Sequence, residues 1–361
     1  MTTHRVLRTT LALTAAALLA TACKKDSENC DTNPTAPGCV TETPGGGGGS
    51  NGLRLAVSVR YDQASFPTTG EFDLLLVPSD SQGNLLLDRD WTITDTLSSP
   101  TTGGSPALAK NVESPDTRPF AAALLVDNTS SMQTNDPNRV RAAAAQEFWQ
   151  TLFQARAGSQ ASLLYFGSVP GGTSATPGFT RTHLLQGWTP NTADLAGKLD
   201  TLSIGTGSTL YTSGIEVAQW IDSTTSKTDL RRALVLLTDG TPNSDSQNAQ
   251  TLIAAANAAN VKIYAIGLGT GSDRSSKGTT AAIQLLQELA SGTGGLYAGV
   301  GTAQELTPVL QALASSSTSG VLVARFKISP APASGTQVAG KVYLTNTPLG
   351  VVFAPWQFVA P

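Results

Sequence analysis

Four short apolar runs, separated by stretches of helical period, constrain this chain more than any other feature. They are FAAALLV at 120–126, ASLLYF at 161–166, ALVLLT at 233–238 and VKIYAIGL at 261–268. Each is short for a helix and too uniformly apolar for a strand with one wet face, so each predicts a strand buried on both sides. Between them the period changes. Asp136 and Pro137 offer a cap and a first-turn proline, and Val140, Ala144, Phe148 and Leu152 follow on one helical face. Residues 192–202, 210–221, 248–259, 280–290 and 303–314 predict further helices, 181–188 a short edge strand and 296–300 another strand. Buried strands alternating with helices imply an α/β fold with a mostly parallel sheet covered on both faces. In such sheets, ligand sites form at the carboxyl ends of the strands.

Those ends carry the informative residues. The first run leads into DNTSSM at 127–132 and the third into DG at 239–240, while GSTLY at 207–211 opens a helix between them. Asp127, Thr129, Ser131, Thr209 and Asp239 offer oxygen only, the donor type that hard divalent cations prefer. Alternate residues 127, 129 and 131 can point the same way from an extended turn. Taken singly, each motif could be a turn or a helix cap; three of them on one edge of one sheet argue for a site.

LLVDNTSSM, GSTLY and LLTDG, in this order and spacing, resemble the metal-ion-dependent adhesion site of von Willebrand factor type A domains. That pattern is Asp-x-Ser-x-Ser, a distant Thr and a later Asp. The resemblance runs over residues 118–317 and implies a Rossmann-like central sheet flanked by helices. It also implies Mg²⁺ or Mn²⁺ held by Asp127, Thr129, Ser131, Thr209 and Asp239, with an open position for a carboxylate donated by a partner protein. Thr129 stands where the family usually has Ser; it keeps the hydroxyl and adds a methyl.

The flanks have another rhythm. Residues 53–59 alternate, 72–77 and 91–96 are further strand candidates, and 321–328, 337–344 and 351–358 read as three more strands with Pro and Gly between them. Two β-rich flanks, 53–117 and 318–361, around one α/β domain predict a single β-sandwich into which that domain is inserted. The sequence DSQGN at 80–84 reads as a hairpin turn.

The first 22 residues read as a lipoprotein signal peptide. Arg5 and Arg8 precede an apolar run of about ten residues, too few to cross a bilayer. LATAC at 19–23 resembles a lipobox ending on Cys23, the expected lipidated residue, although Ala20 stands where Leu is more usual. Residues 23–52 are polar, Pro-rich and then Gly-rich, a flexible tether. Cys30 and Cys39 are the other two of the three cysteines, and in an oxidising compartment they predict one small disulfide loop.

A net charge of −3 without a basic cluster argues against nucleic acid as a partner. Of the two histidines, only His183 lies beyond the signal segment, so nucleophilic or acid–base catalysis has little to work with and no catalytic residue is assigned. The chain reads as a membrane-anchored lipoprotein of the cell envelope, held by its lipid at the outer membrane, that binds a protein through a divalent metal. The alternative is a non-catalytic accessory subunit of a hydrolase or chelatase-like complex.

Overall fold

A computed structural model describes residues 52–99, 109–114, 116–167, 176, 178–199, 205–243, 245–269 and 281–361. The signal segment, Cys23, the tether up to residue 51 and the Cys30–Cys39 pair lie outside the described residues. The N-terminal flank supplies β1 (Arg54–Arg60), β2 (Glu71–Ser79), β3 (Thr92–Ser99) and β4 (Ala109–Glu113). The centre supplies β5 (Phe120–Asp127), β6 (Gln160–Phe166), β7 (Thr182–Thr189), β8 (Arg231–Thr238), β9 (Val261–Leu268) and β10 (Tyr297–Val300). The C-terminal flank adds β11 (Val321–Lys327), β12 (Gln337–Asn346) and β13 (Gly350–Val359).

All four apolar runs are strands of one sheet. β10, β9, β8, β5 and β6 pair in parallel in that order, and β7 closes the edge antiparallel to β6. Every residue of β5 is buried because both faces are covered. Ala122, Leu124 and Val126 point into a core shared with helices α1 (Val140–Ala155) and α5 (Leu306–Ser319). Ala123 and Leu125 point the other way, into a core shared with α2 (Leu210–Thr224), α3 (Ala249–Ala258) and α4 (Ala281–Thr293). Each fully buried Leu contributes roughly 1.5–3 kcal/mol, so stability resides in the strands and the loops at their ends are free to be polar.

The two flanks join each other and the centre. β11 lies between β4 and β2, and β1 pairs antiparallel with β10, so the flanking strands extend the central sheet to ten. β13, β12 and β3 form a second sheet. Leu55, Leu74, Leu76 and Phe326 from the first sheet pack with Val342 and Trp356 from the second. The result is a β-sandwich, one sheet of which is the continuation of the α/β sheet itself. The AKNVE sequence of β4, exposed at all five residues, gives no apolar signal; pairing with β11 is what makes it a strand.

Two expectations need correction. Residues 192–202 do not form a helix within the described part. A single 3₁₀ turn, Thr192–Asp194, is followed by turns up to residue 199. Asn191 caps the turn, accepting from the Ala193 amide at 3.1 Å, but Gly197, at a left-handed φ of 71°, breaks the helical path after it. The helix after Pro137 also begins later than that proline implies. Arg139 adopts a left-handed φ of 52° and α1 starts at Val140. Asp136 still caps it from outside, accepting from the Val140 amide at 2.6 Å and from the buried Arg141 guanidinium at 2.7 Å.

Candidate metal centre

β5 and β8 are neighbours, so their carboxyl ends deliver Asp127 and Asp239 side by side. From Asp127 the chain turns through a parallel bridge between Thr129 and Gly205 and enters the one-turn helix Met132–Asn135. Thr129 donates to Asp127 Oδ1 through its amide at 2.8 Å and its hydroxyl at 2.6 Å. Ser131 donates to Asp239 Oδ1 at 2.8 Å, and Ser131 Oγ lies 3.1 Å from Thr129 Oγ1. A continuous polar chain therefore links the two carboxylates. Thr209 is not bonded into that chain; its Oγ1 lies 3.3 Å from Ser213 Oγ. Its loop is tied to both others instead. Gly205 N donates to Asn128 O at 2.8 Å, and Ser208 N to Asn243 Oδ1 at 2.9 Å.

Two residues that the sequence reading passed over complete the cluster. Thr238, the last residue of β8, donates to Asp127 Oδ2 at 2.6 Å. Asn135 donates to Asp239 Oδ2 at 3.0 Å. The signal for Thr238 was its place directly before Asp239 in LLTDG; Asn135 had none, because only the short helix after Ser131 brings it round. Two glycines make room. At Gly167 (φ 117°) a Cβ would meet Asn128 C at 3.1 Å, and at Gly269 (φ 86°) it would meet Asn135 Oδ1 at 2.4 Å. Gly269 thus presses the end of β9 against the residue that holds Asp239.

The electrostatics are those of an unneutralised pair. Asp127, Thr129, Thr209 and Asp239 are buried, while Ser131 is exposed. Burial pushes the Asp127 carboxyl up to about 6, and the charge of Asp239 pushes the same way against the hydrogen bonds from Thr129 and Thr238. No three His, Cys, Asp or Glu side chains gather as metal ligands among the described residues. The donor set here is two carboxylates with hydroxyls, which could hold a hard cation but not a thiolate- or imidazole-seeking one. The Ser208 hydroxyl, beside Thr209, is buried and has no hydrogen-bond partner among the described residues. His183 stacks on Tyr165 with ring centres 4.6 Å apart, a packing role on β7.

A von Willebrand factor type A domain model matches residues 122–241, the span from β5 to the turn after Asp239. No curated protein matches the chain. Among solved structures, an aerotolerance-related membrane protein from Bacteroides fragilis is 14% identical with a TM-score of 0.38, covering 55% of this chain and 99% of its own. The pilus adhesin SpaC from Lactobacillus rhamnosus GG is 12% identical with a TM-score of 0.44, covering 84% of this chain. Proximal thread matrix protein 1 from the mussel byssus, solved with zinc in its MIDAS motif, is 18% identical with a TM-score of 0.42, covering 60%. The chain spans about half the length of the adhesin and of the byssus protein, 47% and 48%. The matched span, the parallel sheet and the loops at its carboxyl edge give the centre of this chain a fold like that of von Willebrand factor type A domains.

Proposed function

We propose that this chain binds a partner protein through a divalent cation held by Asp127, Thr129, Ser131, Thr209 and Asp239. One observation carries the reading. Thr129 and Ser131 each have a single hydroxyl proton, and each gives it to a different carboxylate. Their oxygens sit 3.1 Å apart, where either hydroxyl could instead donate to the other. Adjacent ligands of an octahedral Mg²⁺ with bonds of about 2.1 Å lie about 3 Å apart. An oxygen pair already at that spacing, beside two buried carboxylates that repel each other, is suited to a small hard cation. Mg²⁺ or Mn²⁺ is the expected ion.

A cation held there supplies a Lewis-acidic position open to an external carboxylate. The chain's own residues do the rest. Asp127 and Asp239 provide the charge, Thr129 and Ser131 the neutral oxygens, and Thr238 and Asn135 fix the orientation of the two carboxylates. Thr209 comes from a loop whose Gly205 and Ser208 amides donate to Asn128 O and Asn243 Oδ1, and its hydroxyl is the third neutral oxygen of this reading. The partner expected is a protein with an exposed Asp or Glu. Pull-down with the intact chain should recover it in Mg²⁺ and lose it in EDTA. An accessory subunit of an enzyme complex would keep its association through other surfaces, so capture that survives EDTA would overturn the adhesion reading.

We further infer a lipid anchor at Cys23, placing the protein in the cell envelope at the outer membrane. This rests on the sequence LATAC, and Cys23 lies outside the described residues. Among the described residues, no helix is long and apolar enough to cross a membrane. Cys23→Ser should move the protein from the detergent phase to the aqueous phase. Unchanged partitioning would reject the anchor.

A further inference from the structure

At the end of the sheet opposite Asp127 and Asp239, a cavity of about 220 Å³ opens where β5, β8 and β9 begin. The strands put some 25 Å between the two ends, at about 3.3 Å per residue over the eight residues of β5. The cavity's charge is one-sided. Arg60, Arg118, Arg231, Arg232 and Lys262 line it against only Glu113 and Asp116.

The carboxylates are already engaged. Arg60 pairs with Glu113 at 2.7 Å and Arg118 with Asp116 at 2.5 Å. Arg232, itself buried, turns to Asp222 at 2.7 Å. Arg231 lies over the Phe120 ring at 4.2 Å and donates to the Asp116 carbonyl at 3.2 Å. Those contacts fix its guanidinium in place. Among these cations, the Lys262 side chain alone has no hydrogen bond or ion pair to the described residues, although it lines the cavity and is open to solvent.

We propose that this cavity is an anion site, with Lys262 as its binding residue and a phosphate group as its ligand. A volume below the roughly 300–1,000 Å³ of drug-sized pockets limits the occupant to something small. An ammonium and guanidinium groups lining one cavity favour a compact oxyanion with more than one charge, since phosphate accepts several charge-assisted hydrogen bonds at once. The environment of Lys262 agrees. Surrounding protein pushes its ammonium down from the ordinary range, and the charges of Arg231 and Arg60 add to this against Glu113 and Asp116. An anion would relieve that repulsion. Phosphate could arrive free or as a lipid headgroup, and the chemistry of the cavity is the same for both.

Calorimetric titration of the intact chain with inorganic phosphate, in EDTA so that no metal at the other end can bridge it, tests this directly. Saturable binding is expected, weakened about tenfold or more by Lys262→Met and retained by Lys262→Arg. Co-sedimentation with phosphatidylcholine vesicles, with and without phosphatidic acid, separates the sources. Phosphatidic-acid binding that Lys262→Met abolishes would assign the ligand to a lipid headgroup, and phosphate binding without vesicle binding would assign it to the free ion. Absence of saturable phosphate binding, or equal binding by wild type and Lys262→Met, would overturn the proposal. Loss of metal binding at Asp127 would not touch it.

Discussion

Added Mg²⁺ is expected to raise the melting temperature of the wild-type chain and leave that of Asp127→Asn where it was. A ligand that binds only the folded state stabilises it by about 2.7 kcal/mol at a hundredfold excess over its dissociation constant. For a folded body of about 310 residues that is about 4 °C. The choice of variant follows from the geometry. Asp127 is buried and accepts from the Thr129 amide, the Thr129 hydroxyl and the Thr238 hydroxyl. Asn keeps the shape and one acceptor while removing the charge that repels Asp239. Its stability in EDTA should therefore stay within about 1 kcal/mol of wild type. Asp127→Ala would strip the acceptor from those buried donors, at about 1–3 kcal/mol for each one left unsatisfied, and should melt lower before any metal is added. Scanning calorimetry of the three proteins, with EDTA and with Mg²⁺, decides it. An equal Mg²⁺ gain in wild type and Asp127→Asn would mean that the cluster is a hydrogen-bonded turn and no more.

Seen from the sequence alone, Asp127 is separable from the fold, because the core lies in apolar strands and the motif in a polar loop. The loop's own hydrogen bonds make it otherwise, and they are not legible in the motif. Nothing in DNTSSM reveals that Thr238, 111 residues away, donates to Asp127, or that Asn135 turns back on Asp239. What was legible had a strong physical signal. FAAALLV, ASLLYF, ALVLLT and VKIYAIGL became β5, β6, β8 and β9, since runs this apolar are buried on both sides along nearly all their length, with Lys262 the exposed exception. The joining of the flanks was legible as a tendency of β-rich pieces to pair. Their fusion to the central sheet was not, because it depends on β1 meeting β10 at a single register pair, Val57 with Tyr297. The weakly patterned segment 192–202 failed where the backbone turns left-handed, at Gly197.

The same competition between burial and polarity sets the second large effect, in the β-sandwich. Asp95 sits on β3 opposite Val342 and accepts from the Trp356 indole N–H at 2.9 Å. Trp356 is among the largest fully buried side chains, so Asp95 is the polar partner that lets its indole enter the core. Burial raises the Asp95 carboxyl to about 7, and the bonds from Trp356 and the Thr96 amide only partly oppose this. Its folded value thus lies above the unfolded one of about 3.9. The folded chain holds the proton more tightly, so the stability Asp95 contributes is present in full below about pH 4, is lost as pH rises towards 7, and changes little beyond. Asp95→Asn keeps an acceptor for the indole and removes the charge. At pH 8 it should be more stable than wild type by about 2 kcal/mol, half of what three units would give, since the carboxyl keeps some contact with water. At pH 4 the two should unfold alike. Urea denaturation at both pH values measures the difference directly, and other titrating groups cancel between the two proteins. A variant no more stable than wild type at pH 8 would show that Asp95 is ionised in the fold at no cost.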